Sequence, residues 1–389
     1  MKVRSDKKDL RDLMHYALLS RGDVFLNLGK YEEAGADYNS VYENMSLPRL
    51  QRAIALRKYA DIHKLRGHNR LALECVEKAE AMIKENSQTA VFEKCAIGAT
   101  KTWVLYAMGN MDNALKQGMA AIEFSRSLRG RNRYTIRGQI CNCLGSIYMN
   151  LGEYQRALEY YGQFLKISRR AGNKIHSAVA LGNIGIIYNR LRDYDRSLYY
   201  SEEQLRLSDS IGYVYGKALS YLNCAILYKN RKKYNKAKGL FNRASEMFTK
   251  LADDHGSALV CVNLALLYYE YRKYEKAAPL FSEYEKICRR TGDPKGIGFS
   301  NLYFGKIRIR LKEYPEAIPF LEKAIEAFGN MKYKMGVCQA FRYKGEAELL
   351  LGKKPDAAAS LEKASELAEQ LKDDVLKKES RRLLGEARK

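Results

Sequence analysis

Asparagine recurs at one register in the middle of this 389-residue chain. Asn183, Asn223 and Asn263 follow one another at a constant step, and Asn142 lies one place off the same row. Because an amide side chain both donates and accepts hydrogen bonds, a row of amides can pair with the main chain of an extended polypeptide. Asparagine is also a poor helix former, so its recurrence is not typical of a merely solvated helix face. We therefore predict that this row contacts a ligand.

Further polar and aromatic side chains are expected on the same face. Asn150, Asn189 and Asn230 fall at the distal end of this face. The lysines and arginines of the face outnumber its acidic residue, Glu270, and therefore predict a basic groove. Trp103 is the only tryptophan, a residue type enriched among interface anchors. A one-residue error in register would instead place Trp103 in the core. Beyond the asparagines and Trp103, the predicted groove comprises Arg190, Lys229, Lys306 and Arg310.

Five arginines form the densest basic cluster of the chain. Guanidinium groups bind carboxylates and phosphates through two parallel hydrogen bonds, so these residue types fit an anion site. A solvated loop is the alternative, and we favour it. The cluster comprises Arg126, Arg129, Arg131, Arg133 and Arg137.

No pattern in the chain indicates catalysis or metal binding. The motifs GxxxxGK(S/T), GxGxxG, HExxH and GxSxG are absent, and the five histidines are dispersed. Cys141 and Cys143 are separated by one residue, but no cysteine or histidine pair with zinc spacing accompanies them. We predict a protein that is not an enzyme, with no cofactor and no metal. Its eight cysteines are interpreted as core thiols of a reduced, cytoplasmic compartment.

A repeat of about 40 residues, a length found among helical-repeat proteins, underlies the spacing of these candidates. Within one repeat, apolar residues follow the i, i+3, i+4, i+7 spacing of a helix with one buried stripe, and a charged or glycine corner separates two such helices. A fixed period of this length predicts a solenoid, which offers a long concave surface for binding. Small residues recur with this step at Gly145, Gly185, Ala225, Ala265, Gly305 and Gly345.

Residues 178–207 resemble the tetratricopeptide repeat. They match it at Gly185, at Tyr188, at the Leu-Arg-Asp-Tyr corner of 191–194 and at Ser197. The 40-residue variant is similar to the repeats of G-protein-signalling modulators, of Rap-type bacterial peptide receptors and of sensor regions in bacterial signalling ATPases. The resemblance implies an all-α, right-handed superhelix. It also implies that an asparagine two places before the small residue, as at Asn183, holds the main chain of a bound peptide.

The repeat predicts a single solenoid over 1–389. We expect three less regular repeats in 12–130, six regular repeats in 138–370 and a capping helix over 373–388, which gives nine hairpins. No run of 18 apolar residues indicates a membrane span, and the charged start does not resemble a signal peptide. Glycines at the hairpin junctions are expected to end helices with positive φ, namely Gly216, Gly256, Gly296 and Gly336.

Two prolines, Pro279 and Pro319, occupy one register about a turn into the second helices of two repeats. A proline inside a helix loses a backbone hydrogen bond and clashes with the carbonyl four residues back. We therefore expect these helices either to start late, at the proline, or to kink there. Either outcome predicts a change of superhelix curvature over 274–325.

The net charge of +23 favours an acidic partner. The leading interpretation is a protein-interaction module that binds a peptide or protein segment in its concave groove, as an adaptor or as the sensing region of a signalling protein. The alternative is a basic helical-repeat protein that binds nucleic acid, suggested by the charge and by 29 tyrosines. Tyr148, Tyr188, Tyr228 and Tyr268 recur at packing positions, however, which disfavours a role as base-stacking platforms. The oligomeric state is not predicted.

Overall fold

The computed structural model describes residues 2–27, 30–128 and 132–389. These residues form α-helices joined by short connections, with no β-strand among them. They divide into two compact units, unit 1 (Met1–Tyr213) and unit 2 (Val214–Lys389). None of the described helices combines the length and apolar composition needed to cross a bilayer. A single continuous solenoid over 1–389 stays a prediction.

Unit 1 contains five helical hairpins in its described residues. A short 3-10 turn, Ser125–Ser127, follows the third hairpin. The helices are α1 (Lys2–Asn27), α2 (Tyr31–Glu43), α3 (Arg49–Leu65), α4 (Asn69–Met82), α5 (Gln88–Ala107), α6 (Met111–Phe124), α7 (Asn132–Asn150), α8 (Tyr154–Arg170), α9 (Lys174–Arg190) and α10 (Tyr194–Ser210).

Unit 2 contains four hairpins and a last helix. They are α11 (Val214–Asn230), α12 (Tyr234–Lys250), α13 (Asp254–Glu270), α14 (Tyr274–Thr291), α15 (Pro294–Arg310), α16 (Tyr314–Asn330), α17 (Lys334–Leu350), α18 (Lys354–Gln370) and α19 (Asp374–Ala387). The last helix buries Leu383 and Ala387 against Ala357 and Leu361 of α18, and so closes the core of this unit.

Odd-numbered helices up to α17 are the first helices of their hairpins, and even-numbered ones are the second helices. Consecutive helices pack together within each unit. First helices also contact one another, as α5 does α3 and α7 in unit 1, and as α17 does α15 in unit 2. In each unit the first helices therefore share one side, which we call the first-helix face.

Corners of three residues, or of two between α14 and α15, connect the helices from α7 onward. In each corner one residue has φ between 50° and 77°, and these residues follow one another at a regular interval. The next amide bonds to the carbonyl five residues back, as Glu153 N–H does to Tyr148 O at 2.9 Å. This is the Schellman arrangement that ends a helix. The positive-φ residues are Gly152, Gly172, Arg192, Gly212, Lys232, Ala252, Arg272, Gly292, Lys312, Lys332, Gly352 and Lys372.

The junction glycines do not turn the chain, contrary to the expectation from sequence. Gly256 and Gly336 lie inside α13 and α17 and lack positive φ. A Cβ on Gly256 would lie 2.2 Å from the ring of Phe248, and one on Gly336 would lie 2.6 Å from Phe328. These positions, like Gly296 inside α15, are glycine because a side chain of the preceding helix packs directly on the backbone.

Small residues stand where the two helices of a hairpin approach, as the repeat predicts. A Cβ on Gly145 would lie 2.7 Å from the Tyr161 ring, and one on Gly305 would lie 2.5 Å from Leu321. In the fifth hairpin the facing residue is small instead, and Ser197 Oγ donates to Gly185 O at 2.9 Å. Large buried side chains of the second helices thus pack at positions where a glycine of the first helix leaves room for them.

The two prolines lie inside their helices. Helix α14 begins at Tyr274 and includes Pro279, and α16 begins at Tyr314 and includes Pro319. A late start at the proline is therefore wrong. The first intrahelical bonds form before the proline, as Ala277 N–H bonds to Lys273 O at 3.0 Å. The change of curvature expected over 274–325 stays a prediction.

Replacing a packed glycine and an open glycine should have opposite effects. Gly145→Ala should destabilise the protein by about 1–3 kcal/mol, because the added methyl group meets the Tyr161 ring. Gly162→Ala, in the neighbouring α8, should stabilise it by about 0.5–1 kcal/mol, because nothing lies within 4 Å of the new Cβ. Urea unfolding followed by circular dichroism measures both. Equal effects would contradict the close helix approach.

The corners offer a second matched pair. Lys312→Gly should stabilise the protein by about 0.5–1 kcal/mol, because a left-handed conformation costs a side-chain-bearing residue about 1–2 kcal/mol and the added chain entropy offsets part of this. Gly352→Ala, at the equivalent corner of the next hairpin, should destabilise it by about 1 kcal/mol. The midpoints of urea unfolding report both changes, and a loss of stability in Lys312→Gly would show that the corner conformation is wrong.

Candidate functional site

The first-helix face of unit 1 contains a cavity of about 360 Å³, which we call the Trp103 pocket. Only first helices line it, and aromatic and aliphatic side chains alternate there with polar ones. The lining includes Leu26 of α1, Asp61 of α3, Phe92, Thr100 and Trp103 of α5, and Gln139 of α7.

A network of ion pairs forms the polar wall of this pocket. Arg57 Nε lies 2.6 Å from Glu93 Oε2, and Arg57 also donates to Asp61 Oδ2 at 3.0 Å. Asp61 Oδ1 further accepts from Lys64 Nζ at 2.6 Å and from Thr100 Oγ1 at 3.0 Å. Burial acts to raise the pKa of Asp61, but Lys64 and Arg57 outweigh it and hold that pKa below its ordinary value. Asp61 is therefore ionised at neutral pH, and the wall contains two basic and two acidic side chains.

Trp103 lines this pocket and is half-buried at the edge of the core. Its ring meets the edge of Tyr106, with the two centroids 5.5 Å apart. The Tyr106 hydroxyl accepts a hydrogen bond from Asn150 Nδ2 at 2.7 Å. The structure thus brings together two predicted groove residues from different hairpins through a tyrosine that sequence reasoning missed.

The asparagine row divides between the two units. In unit 1, Asn183 Nδ2 donates to Asn142 Oδ1 at 3.0 Å, so the off-row residue meets the row across neighbouring first helices. In unit 2, Asn263 Nδ2 donates to Leu259 O of its own helix at 2.8 Å. Asn223 is half-buried and forms no side-chain hydrogen bond with the described part of the chain. Each amide keeps donors or acceptors for a further partner.

The other predicted groove residues differ in accessibility. Asn189 is half-buried and Arg190 is exposed at the end of α9, and Asn230 is exposed at the end of α11. Lys229 is only 8% exposed, which removes it from an accessible surface. Burial lowers the pKa of Lys229, and Glu270 opposes that shift.

The arginine cluster is only partly described, because Arg129 and Arg131 lie outside the described residues. Arg126 is exposed and pairs with Glu123 at 2.9 Å. Arg133 donates to the Tyr134 hydroxyl at 2.9 Å, and the pKa of Tyr134 is lowered by Arg133 first and then by Arg170 and Arg137. The Nε of half-buried Arg137 has no hydrogen-bond partner in the described residues. An anion site here stays a prediction, and Arg170 is a member that the sequence did not indicate.

The first-helix face of unit 2 gathers cations and tyrosines around Lys306. The Lys306 Nζ lies 5.1 Å, 4.1 Å and 4.9 Å from the ring centroids of Tyr269, Tyr303 and Tyr343. Arg342 lies over the Tyr343 ring, with Cζ 3.8 Å from its centroid. We call this group the Lys306 cluster; it comprises Tyr269, Tyr303, Lys306, Arg310, Arg342, Tyr343 and Glu346.

Two of these tyrosines continue the asparagine row. Tyr303 and Tyr343 follow Asn263 at the next two steps of the same period. The period that reveals the amides could therefore have revealed this cluster. Sequence reasoning named Lys306 and Arg310 as groove residues but missed these tyrosines, because it searched the row for one residue type.

A larger cavity than the Trp103 pocket lies elsewhere in unit 1. It measures about 680 Å³ and is formed in unit 1 by the end of α8 with α9 and α10. Arg169, Lys174 and Leu181 line it, and no predicted groove residue does. This cavity is therefore separate from the amides and aromatic residues of the first-helix face.

The tetratricopeptide-repeat family model matches residues 139–210, which span the hairpins α7–α8 and α9–α10. No curated protein sequence matches the chain.

Solved structures with a similar fold include the apo form of the quorum sensor NprR from B. thuringiensis. It is 14% identical, with a TM-score of 0.63, over 93% of this chain and 99% of that one. A Rap protein complexed with competence and sporulation factor is 13% identical, with a TM-score of 0.58, over 87% and 98% of the two chains. A signal-transduction ATPase with a tetratricopeptide-repeat sensor, from Pyrococcus horikoshii, is 17% identical, with a TM-score of 0.57, over 82% of this chain and 46% of that one.

These likenesses agree with the architecture of paired helices. A fold of this kind is generally a non-catalytic scaffold for protein–protein interaction. Residues 139–210 match the tetratricopeptide repeat, and the fold of the chain resembles those of a Rap protein, of NprR and of a signalling ATPase with a tetratricopeptide-repeat sensor.

Proposed function

We propose that this protein binds an extended segment of another protein along its first-helix faces, as an adaptor or as the sensing region of a signalling protein. The observation that carries the proposal is the Trp103 pocket. It is lined by first helices alone and combines aromatic rings with polar groups already held in position. Concave, mostly apolar sites with a few fixed polar groups are typical of ligand binding.

The chemistry of the pocket favours an uncharged anchor side chain. Arg57 and Lys64 balance Asp61 and Glu93, so a charged group entering the pocket would find no uncompensated counter-charge. Trp103 offers an aromatic surface, and the pocket volume of about 360 Å³ suits side chains rather than a folded domain. We infer that one apolar side chain of the ligand occupies it.

The amides would hold the main chain of the same segment. The Asn183–Asn142 pair joins two neighbouring first helices and leaves the Asn183 Oδ1, one Asn183 N–H and both Asn142 N–H groups available. A polypeptide crossing these helices would find donors at both of them and an acceptor at Asn183. Such pairing gives affinity without reading side chains, so the anchor pocket would supply the selectivity.

The likeness to a Rap protein complexed with competence and sporulation factor supports a ligand of this kind and a role in signalling. The net charge of +23 supports an acidic partner. The same charge would favour nucleic acid, but the repeated tyrosines are engaged in packing. Tyr148 and Tyr188 stack on second-helix tyrosines and are covered by Arg156 and Arg196. A protein segment is therefore the favoured ligand.

Removing the anchor surface should weaken binding. Peptides are selected from a random-peptide phage library on the wild-type protein, and their affinities are measured by fluorescence anisotropy. Trp103→Ala should weaken them about tenfold or more, because truncation of a central aromatic anchor costs about 2 kcal/mol or more. Tyr199→Ala, an exposed aromatic residue of second helix α10, is the control and should change nothing. Equal affinities of wild type and Trp103→Ala would overturn the assignment of the pocket.

Removing the amide row should have a comparable effect. The triple variant Asn183→Ala, Asn223→Ala, Asn263→Ala should lose about tenfold or more in affinity, since each hydrogen bond contributes about 0.5–1.5 kcal/mol. Its helical circular dichroism should stay intact. Asn242→Ala, exposed on second helix α12, is the matched control. Unchanged affinity of the triple variant would exclude a main-chain role for the row.

Salt dependence separates the two classes of partner. A single-stranded oligonucleotide should bind weakly and lose orders of magnitude in affinity between about 50 and 200 mM salt. The selected peptides should lose far less, because the anchor and the amide row are uncharged. An oligonucleotide that outcompetes every selected peptide at the higher salt would overturn the proposed function.

A further inference from the structure

Lys306 is a half-buried cation without an anionic partner. It projects from α15 into the Lys306 cluster, where rings of three tyrosines surround its Nζ. No carboxylate of the described residues lies within 4.0 Å of that atom, and the Nζ donates no hydrogen bond to them. A buried ammonium group is normally paired, because its desolvation is costly.

The tyrosine rings replace only part of the hydration that the Lys306 ammonium group loses on burial. Each tyrosine face attracts a cation through its quadrupole, and three faces lie between 4.1 Å and 5.1 Å from the Nζ. They do not supply a hydrogen-bond acceptor, however, and the ammonium has three N–H donors. Burial, Arg342 and Arg310 together lower the pKa of Lys306 to about 8, against the opposing effect of Glu346. The charged form is therefore poorly satisfied by the protein alone.

The neighbouring cations use the nearby carboxylates incompletely. Arg310 and Arg342 share Glu346, each at 3.6 Å, which is longer than a good hydrogen bond. Arg342 Nε lies 3.5 Å from Glu379 Oε2 without hydrogen-bond geometry, although only 12% of the Arg342 side chain is exposed. Three cations thus face two carboxylates, and one positive charge is left uncompensated.

We propose that Lys306, Arg310 and Arg342 form an anion subsite that takes one carboxylate of the bound segment. The proposal deepens the proposed function and rests on it, because it names the chemistry of the partner at this point of the first-helix face. A carboxylate supplies the acceptors that Lys306 lacks. The tyrosine rings form the dry walls of the subsite and strengthen the pairing by lowering the local dielectric.

The single uncompensated charge favours a carboxylate over a phosphate. A phosphate monoester carries close to two negative charges at neutral pH, and the second would face Glu346 without compensation. The subsite also continues the asparagine row, since Tyr303 and Tyr343 occupy its next two positions. A segment that follows the row in unit 2 would therefore bring an aspartate, a glutamate or its own terminal carboxylate to Lys306.

Acetate tests the subsite without any peptide. Lysine side chains of the full chain are isotope-labelled, and NMR follows the titration of the Lys306 signal, assigned with Lys306→Met. Excess acetate in place of chloride should raise the pKa of Lys306 by about half a unit or more, because an adjacent anion favours the charged form. Lys286, exposed and paired with Glu283 on second helix α14, should not respond. A response to phosphate alone overturns the choice of carboxylate, and no response to either anion overturns the subsite.

The selected peptides provide the second test. They should carry an acidic residue, and its replacement by the corresponding amide should cost about tenfold in affinity for the wild type, as expected for a charge-assisted hydrogen bond. Against Lys306→Met the same replacement should cost nothing, whereas against Lys286→Met it should cost the full amount. Peptides that bind but show no such coupling would overturn the subsite while leaving the proposed function intact. If no peptide is selected, the proposed function fails and the acetate titration still decides the subsite.

The affinity of the acidic peptides should also depend on pH. A bound anion raises the pKa of Lys306, which is about 8 in the free protein. Above about pH 8, binding therefore takes up a proton, and the affinity falls as the pH rises towards the pKa of the bound state. In Lys306→Met this dependence should disappear, and its persistence would assign it to another group. The charged and titratable groups that face Lys306 are Tyr269 of α13, Tyr303 and Arg310 of α15, and Arg342, Tyr343 and Glu346 of α17, and Glu379 of α19 lies beside Arg342.

Discussion

The three-residue corner is the constraint on which the rest of the fold depends. It ends one helix with a residue of positive φ and a hydrogen bond to the carbonyl five residues back. The last corner residue often caps the next helix as well, as Asp193 does by accepting from the Arg196 N–H. Helices of nearly constant length between such corners give the chain a fixed period of two helices and two corners. Equivalent residues therefore return to the same face in every hairpin.

Close packing converts this regular chain into a stack of hairpins. Glycines on the first helices face large side chains on the second helices, as Gly145 faces Tyr161 and Gly345 faces Leu361. Glycines in the first turn of later first helices, such as Gly336, admit an aromatic ring from the preceding helix. Both devices place helix axes close together and keep the larger polar side chains off these contacts. The first helices are left with one side free to carry amides, rings and charges.

The two clusters on that side differ in how their charges are satisfied. At the Trp103 pocket, Asp61 and Glu93 pair directly with Arg57 and Lys64, and the wall is complete without a ligand. At the Lys306 cluster, aromatic rings take the place of counter-ions and an ammonium is left unpaired. The first arrangement suits the recognition of an uncharged group, whereas the second suits recognition of an anion.

The amino-acid sequence by itself determined the period, the helical hairpins, the small residues at each helix approach and the asparagine row. These features depend on local periodicity, which a helix of 3.6 residues per turn converts directly into a shared face. The sequence suggested the wrong role for the junction glycines, because a glycine that makes room for a ring of the preceding helix looks the same in sequence as one that turns the chain. Only the tertiary structure decided that Asn183 pairs with Asn142 and that Tyr269 and Tyr343 enclose Lys306. Those contacts join helices of different hairpins, and the resulting burial, which lowers the pKa of Lys306, is a property of the packed units and not of any local segment.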